Sequence, residues 1–129
     1  MNLTELEKVK LEAFLERFNR CFDGVIEDIE IKYGNEARWP NVRLSIQTQD
    51  NESEDGWARL RLTLEEVTRL KVVEGKSTYR VLSDGLVLKE LEGKWVVGVE
   101  DEQDEAATTS EFCESAFGFV ASKVEWGVE

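Results

Sequence analysis

The N-terminal part of the chain places apolar side chains at the spacing of one helix face. From residue 11 to residue 22 they recur at i, i+3, i+4, i+7 and i+11, the pattern of an amphipathic helix that packs against a core. Asn2 and Thr4 are both candidate caps, Thr4 with Glu7 at the spacing of a capping box, and Asp23-Gly24 is typical of a helix end in the left-handed conformation. The sequence therefore predicts one helix over about residues 4–22.

After Gly24 the apolar residues alternate with polar ones. This is the pattern of β-strands with one buried and one exposed face, and it is clearest in residues 28–33, 41–48 and 57–64. Gly118, between two phenylalanines, indicates a close approach of backbone or a bulge. Further strands are predicted at residues 67–73, 77–82, 86–91, 94–100, 115–121 and 123–128, and only Glu92-Gly93 separates the third and fourth of these, which predicts a β-hairpin.

These elements define a fold class. Residues 109–114 can form a short helix with Thr109 or Ser110 as its cap, but no second long helix is predicted. Parallel strands need long crossover connections, so we expect antiparallel pairing. At 129 residues the chain has the size of a single domain. The predicted fold is α+β, with the N-terminal helix packed on a curved, mainly antiparallel meander sheet of about eight or nine strands, partly closed into a barrel or folded as a two-layer roll.

The chain is acidic, and its charge is unevenly placed. It has 16 Lys and Arg residues against 28 Asp and Glu residues, a formal net charge of −12. Residues 95–129 alone contain 1 basic and 9 acidic residues. Non-specific binding of nucleic acid requires a cationic face, so we expect no nucleic-acid partner. A cationic protein is the natural complement of this composition.

The residue types exclude most catalytic chemistry. Histidine is absent, which removes the commonest general base and the usual Ser-His and Cys-His pairs. Phosphate-binding and nucleophile motifs are also absent from the sequence. We therefore expect a protein that is not an enzyme and that holds no cofactor or metal.

Two further features concern the compartment. The first twenty residues are interleaved with charge and no apolar run approaches the length of a membrane span, so we predict a cytoplasmic protein. Cys21 and Cys113 lie among apolar neighbours and are predicted to be free thiols in the core.

Two acidic clusters lie between predicted strands, and neither matches a calcium loop, which needs a glycine at its sixth position and a glutamate at its twelfth. Such clusters are usually solvated loops, and they can also dock a basic partner. We take them as the candidate partner-binding surface. Its centre is the second acidic cluster (residues 100–105), with Glu100, Asp101, Glu102, Asp104 and Glu105, and the first acidic cluster (residues 50–55) is expected to contribute with Asp50, Glu52, Glu54 and Asp55.

An alternative function rests on arginine and tryptophan in the middle of the chain. If the strands that carry these residues are neighbours, a cationic stripe crosses the sheet and can hold a small anion beside an aromatic platform. Otherwise these side chains form cross-strand pairs with carboxylates. The candidate anion-binding residues are Arg43, Trp57, Arg59 and Arg61, with Arg69 and Lys71 on the next strand.

One resemblance can be stated for residues 55–128. It consists of Trp57, the segments 60–62 (LRL) and 79–86 (YRVLSDGL), Phe117, Val120 and the segment 124–126 (VEW). In these the chain resembles small bacterial proteins built as an antiparallel meander, some of which are similar to the acidic immunity proteins of polymorphic-toxin systems. The resemblance implies a protein that neutralises a cationic toxin, and it carries over no functional residue. The sequence is also compatible with a homodimer, since a meander leaves unpaired strand edges at which a second copy can bind.

Overall fold

A computed structural model describes residues 1–34, 38–73, 80–115 and 117–129. Within these residues the chain forms ten β-strands, two short α-helices and three 3-10 helices. The strands are β1 (Thr4–Glu5), β2 (Gly24–Lys32), β3 (Asn41–Gln49), β4 (Trp57–Glu65), β5 (Arg69–Val72), β6 (Val81–Leu82), β7 (Val87–Leu91), β8 (Lys94–Gly98), β9 (Phe117–Ala121) and β10 (Lys123–Val128); the α-helices are α1 (Leu11–Arg17) and α2 (Thr109–Phe112), and the 3-10 helices are Lys8–Lys10, Asn19–Cys21 and Asp101–Glu105.

The strands form two antiparallel sheets. A six-stranded sheet has the order β1-β10-β4-β3-β2-β6, and a four-stranded sheet has the order β5-β9-β8-β7. The predicted α+β class is confirmed, and the described strands do not close into a barrel. Each sheet contains a meander, β2-β3-β4 in one and β7-β8-β9 in the other, and Ser122 alone separates β9 from β10, where the chain passes between sheets.

The core lies between the sheets and under α1. In β3 and β4 the alternating apolar residues pair across the strands, Val42 with Leu64 and Leu44 with Leu62, and all of these side chains are fully buried. Burial of each such side chain stabilises the fold by about 1.5–3 kcal/mol. One contiguous cluster contains buried residues of both sheets and of α1.

The N-terminal helix is shorter than predicted. Phe14, Leu15 and Phe18 of its apolar face are buried as expected, whereas Phe22 is exposed. Thr4 belongs to β1, where it pairs with Trp126 of β10. Leu6 extends the pairing of β1 with β10, because its backbone N–H donates to the carbonyl of Val124 at 2.8 Å. The predicted capping box at Thr4 and Glu7 is therefore wrong, since Thr4 pairs with a distant strand and Glu7 precedes the 3-10 helix Lys8–Lys10 without a side-chain cap hydrogen bond.

The helix also ends earlier than predicted, in a left-handed turn. Asn19, Arg20 and Cys21 have φ angles of 50°, 52° and 58°, and Asp23 follows with 60°. This conformation costs a residue with a side chain about 1–2 kcal/mol. Compensating contacts come from the buried side chain of Cys21 and from the backbone N–H of Leu86, which donates to the carbonyl of Arg20 at 2.7 Å.

The second half of the chain largely follows the sequence pattern. The β7–β8 hairpin is confirmed, with φ angles of 53° at Glu92 and 76° at Gly93, which suit a tight two-residue turn. The cap of α2 is Thr108 and not Thr109 or Ser110, because the Thr108 side chain accepts from the backbone N–H of Glu111. The first three residues of the predicted strand 77–82 lie outside the described residues.

Among the residues that the structure describes, no helix has the length and the apolar character needed to cross a membrane.

Candidate functional site

One buried side chain holds the second acidic cluster in place. Gln103 is 2% exposed, and its amide oxygen accepts from the backbone N–H groups of Val99 (3.0 Å) and Glu100 (2.9 Å). Its amide nitrogen donates to the backbone carbonyls of Phe112 (3.3 Å) and Phe117 (2.7 Å). The amide thereby uses both its acceptor and both its donor positions. It links the cluster to the end of β8, to α2 and to β9.

Two glycines make room for this side chain. A Cβ atom on Gly98 of β8 would lie 2.2 Å from the Gln103 amide oxygen, and one on Gly118 of β9 would lie 3.2 Å from its amide nitrogen. The close contact at Gly118 is therefore with side chains, the Gln103 amide and the Phe112 ring, and not with the backbone segment that the sequence predicted.

The local helix geometry sorts the remaining carboxylates into two rows. A 3-10 helix has about three residues per turn, so Asp101 and Asp104 lie on one side of Asp101–Glu105 while Glu102 and Glu105 lie on the other. All four residues are exposed. Since Gln103 points inward, the acidic side chains of this helix are presented outward on a fixed backbone.

Lys89 lies next to the second acidic cluster but does not pair with its carboxylates. The Lys89 ammonium donates to the backbone carbonyls of Asp104 and Ala106, the latter at 3.0 Å. In the described part of the chain, no Lys or Arg is within salt-bridge distance of the carboxylates of the two outward rows. The cluster therefore keeps its negative charge.

A cavity of about 580 Å³ opens between the cluster and α2. Two of its residues, Glu111 and Glu114, are not among the site residues predicted from the sequence. Their spacing of three residues in the predicted short helix, in a segment without a basic residue between Lys94 and Lys123, could have indicated that they belong to the acidic surface. The lining carboxylates are those of Glu100, Glu102, Glu105, Glu111 and Glu114, with Gln103, Ala106 and Ser115 between them.

The other row faces a second, smaller cavity. Asp101 and Asp104 line a space of about 330 Å³ together with Asp84 and Arg20. Phe22 forms part of its apolar wall. The cluster thus has a concave surface on each side of the 3-10 helix.

The first acidic cluster is different, and one of its predicted site residues is corrected. Asp50 is 2% exposed and accepts from Nε and Nη2 of Arg17, at 3.0 and 3.2 Å. Burial acts to raise the pKa of the Asp50 carboxyl, but hydrogen bonds from Arg17 and from the backbone N–H of Glu52 outweigh it and hold the pKa below its ordinary value. Asp50 therefore anchors α1 to the β3–β4 loop and is not part of an exposed docking surface.

Other carboxylates of the first acidic cluster are also engaged within the molecule. The Glu52 carboxylate lies 2.7 Å from Nε of Arg17. Asp55 accepts from the Ser53 hydroxyl at 2.8 Å and from the backbone N–H of Trp57 at 3.1 Å. Glu54 is exposed. Hydrogen bonds within this cluster shape its loop. Among the described residues only Arg17 pairs with its carboxylates, so Glu54 and Asp55 keep their negative charge.

The arginine stripe is shorter than the alternative function required. Register pairs Arg43 of β3 with Thr63 of β4, and Gln47 with Arg59, so these residues share the outer face of the six-stranded sheet. Arg69 and Lys71 lie on β5, which belongs to the other sheet. The predicted stripe therefore does not continue beyond the six-stranded sheet.

Two of the three arginines on this face are paired with carboxylates, and Arg43 forms no ion pair among the described residues. Arg59 lies 3.5 Å from Glu27 and 3.4 Å from Glu129, and Arg61 also forms an ion pair with Glu129. Pairing with carboxylates agrees with the second interpretation given for these residues, but the partners are Glu27 and Glu129 and not the expected Glu65, Glu66 and 50–55 loop. Trp57 is exposed at the start of β4.

Both cysteines are free thiols in the structure. Cys21 and Cys113 are free, as predicted, with Cys21 buried and Cys113 half-buried. Burial raises the pKa of the Cys21 thiol to about 11. In residues 1–34, 38–73, 80–115 and 117–129, no group of three or more Cys, Asp and Glu side chains is placed to hold a metal ion.

Comparison with known proteins adds no relative: no protein-family model, no curated protein and no solved structure matches the chain. Its function is therefore inferred from the geometry described above.

Proposed function

We propose that this protein is a non-enzymatic interaction protein that binds a cationic protein through the second acidic cluster and α2. One observation carries the proposal. Between residues 100 and 114 the chain has seven carboxylates and no basic residue, and five of these carboxylates line one cavity.

Electrostatics favours a protein partner for such a surface. Like charges gathered in a concave site focus their field and increase the rate at which an oppositely charged partner is captured. The cavity beside α2 offers several acceptors to lysine or arginine side chains, which form charge-assisted hydrogen bonds with carboxylates. The two outward rows would contact such a partner on both sides of the 3-10 helix.

Rigidity supports the same proposal. Binding is weakened by an entropic cost when a flexible loop has to become ordered in the complex. Here Gln103 and Lys89 fix the backbone that carries the carboxylates, so this cost is reduced.

The nature of the partner follows from the charge. A protein that acts on an anionic substrate such as nucleic acid has a cationic face, and an acidic protein can cover that face. The resemblance of residues 55–128 to acidic immunity proteins favours a toxin of this kind as the partner.

The alternative, a small-anion site at Arg43, Trp57, Arg59 and Arg61, has weaker support. Glu27 and Glu129 already neutralise Arg59 and Arg61, and a bound anion would have to displace them.

The test is affinity capture from a lysate of the source organism at low salt with three forms of the chain. The first is wild type and the second is the cluster variant, with Asp101→Asn, Asp104→Asn and Glu105→Gln. The third is a control variant with the same change in charge on the N-terminal segment, with Glu7→Gln, Glu12→Gln and Glu16→Gln.

We expect the wild type and the control variant to retain the same cationic protein in stoichiometric amount and the cluster variant to lose it. Equal retention by the cluster variant would contradict the proposal, as would equal loss by the control variant.

A further inference from the structure

A second concave site lies at the N-terminal segment and shares no residue with the second acidic cluster. It is a groove of about 400 Å³ between the start of the chain, α1 and β10. Leu6, Phe14 and Trp126 supply its apolar lining. Its volume falls within the range of small-molecule sites, about 300–1,000 Å³.

The apolar lining is aromatic and well fixed. Phe14 and Trp126 meet edge to face, with ring centroids 5.3 Å apart at 62°. Phe18 packs against both rings from within the core, at 5.1 and 5.7 Å. The Arg17 guanidinium also lies over the Trp126 ring, 5.3 Å from its centroid. A further aromatic ring in the groove can add an edge-to-face contact to this cluster, which stabilises ring pairs beyond the effect of area burial.

Most charged groups at the rim already have partners. Arg17 lines the groove but is held by Asp50 and Glu52. Glu5 lines it too, and its carboxylate lies 3.3 Å from the Lys123 ammonium.

Two hydrogen-bond donors of the lining residues have no partner among the described residues. Within the described chain, the Lys10 side chain forms no ion pair and no hydrogen bond, and the indole N–H of Trp126 donates to no acceptor. The free groups are therefore a cation and a neutral N–H donor. Charge complementarity selects a ligand with an apolar body and an anionic end.

We propose that this groove binds a small aromatic carboxylate, with its ring against Phe14 and Trp126 and its carboxylate at Lys10. The site is independent of the docking function proposed above, because it uses a different part of the surface and the opposite sign of ligand charge.

The experiment compares three probes that share one ring and differ in the terminal group. These are 3-phenylpropionate, the neutral 3-phenylpropan-1-ol and the cationic 3-phenylpropylamine. Binding is followed in ¹H–¹⁵N NMR spectra through the indole N–H signals of the four tryptophans, with Trp126 assigned from a Trp126→Phe variant.

We expect a saturable shift of the Trp126 signal with the carboxylate and an affinity about threefold to fivefold above that of the alcohol, the size of an exposed charge pair. The amine should bind weakest of the three. The proposal would be overturned if the Trp126 signal shows no saturable shift, or if the amine binds as well as the acid.

Three variants separate the ring contact from the charge contact. Ala13→Phe fills the groove from the exposed side of α1 and should abolish binding, whereas Val9→Phe adds the same ring at a position that is 87% exposed and does not line the groove. Lys10→Gln should keep the ring contact and make the acid and the alcohol bind equally. An unchanged preference for the acid in Lys10→Gln, or undiminished binding in Ala13→Phe, would overturn the assignment.

Discussion

Gln103 determines where the second acidic cluster sits, although it carries no charge. Its single amide satisfies two N–H groups and two carbonyls of the surrounding backbone. A buried polar group left without a partner costs about 1–3 kcal/mol. We therefore expect Gln103→Leu to lower the free energy of unfolding by about 3 kcal/mol, measured by chemical denaturation.

A matched control is Gln47→Leu, because Gln47 is half-buried on the outer sheet face and its side chain makes no hydrogen bond among the described residues. That change should alter stability by less than about 1 kcal/mol. Equal losses for the two variants would show that the amide network around Gln103 contributes nothing specific.

Asp50 makes stability depend on acid pH. Its pKa is held below the ordinary value in the folded state, and an unfolded Asp titrates near about 3.9. A carboxyl with a lowered folded pKa stabilises the fold above the unfolded pKa, and this contribution is lost as the pH falls through the folded pKa. The wild type should therefore lose stability on acidification below about pH 4 more steeply than Asp50→Asn.

The measurement is the free energy of unfolding of both forms across acid pH, with Glu54→Gln as a control in the same loop. At neutral pH we expect Asp50→Asn to be less stable than wild type by about 1–2 kcal/mol, since a hydrogen bond to a charged group is lost. Parallel pH profiles for the wild type and Asp50→Asn would refute the anchoring role of the Arg17–Asp50 pair.

At the scale of the elements, the pattern predicted those whose contacts are local or strictly alternating. β3 and β4 follow from alternation, and the β7–β8 hairpin follows from its turn residues. The N-terminal helix was predicted too long because β1 pairs with β10, at the opposite end of the sequence. Periodicity within the first residues contains no information about that pairing.

The two acidic clusters look alike in sequence and differ in structure for the same reason. Contact with Arg17, 33 residues away, buries Asp50. The second acidic cluster is shaped by Gln103, whose partners Phe112 and Phe117 lie 9 and 14 residues further along the chain. The sequence predicts the candidate surface, but only the fold shows which carboxylates form hydrogen bonds or ion pairs within the molecule and which do not.

The left-handed turn after α1 is an element that the sequence pattern did not predict at its observed position. Arg20 has a φ of 52° and an exposed side chain, and glycine adopts this conformation without steric cost. We expect Arg20→Gly to raise the free energy of unfolding by about 0.5–1 kcal/mol, as the removed strain exceeds the added entropy of the unfolded chain. Thermal or chemical denaturation measures the change.

The control for this prediction is Glu12→Gly in α1, where the backbone is right-handed helix. There glycine should destabilise the protein by about 1 kcal/mol. A loss of stability in Arg20→Gly as large as that in Glu12→Gly would mean that the turn is not strained.

At the scale of the whole molecule, charge is neutralised on one face and left free at one end. The outer face of the six-stranded sheet pairs Arg59 and Arg61 with carboxylates, and Lys123 lies near Glu5, Glu65 and Glu125. The second acidic cluster and α2 have no such partners among the described residues. Residues 100–114 thus contribute seven negative charges to the net charge of −12, beside the two cavities that flank Asp101–Glu105.

The association rate of the captured cationic protein, measured by stopped-flow mixing against ionic strength, tests this account most directly. At low salt we expect the rate to fall about tenfold in the Asp101→Asn, Asp104→Asn, Glu105→Gln variant and its salt dependence to flatten, because steering by the cluster is lost. The variant with the same charge change at Glu7, Glu12 and Glu16 should stay close to wild type. Identical rates and identical salt dependence for the cluster variant and wild type would contradict the proposed docking surface.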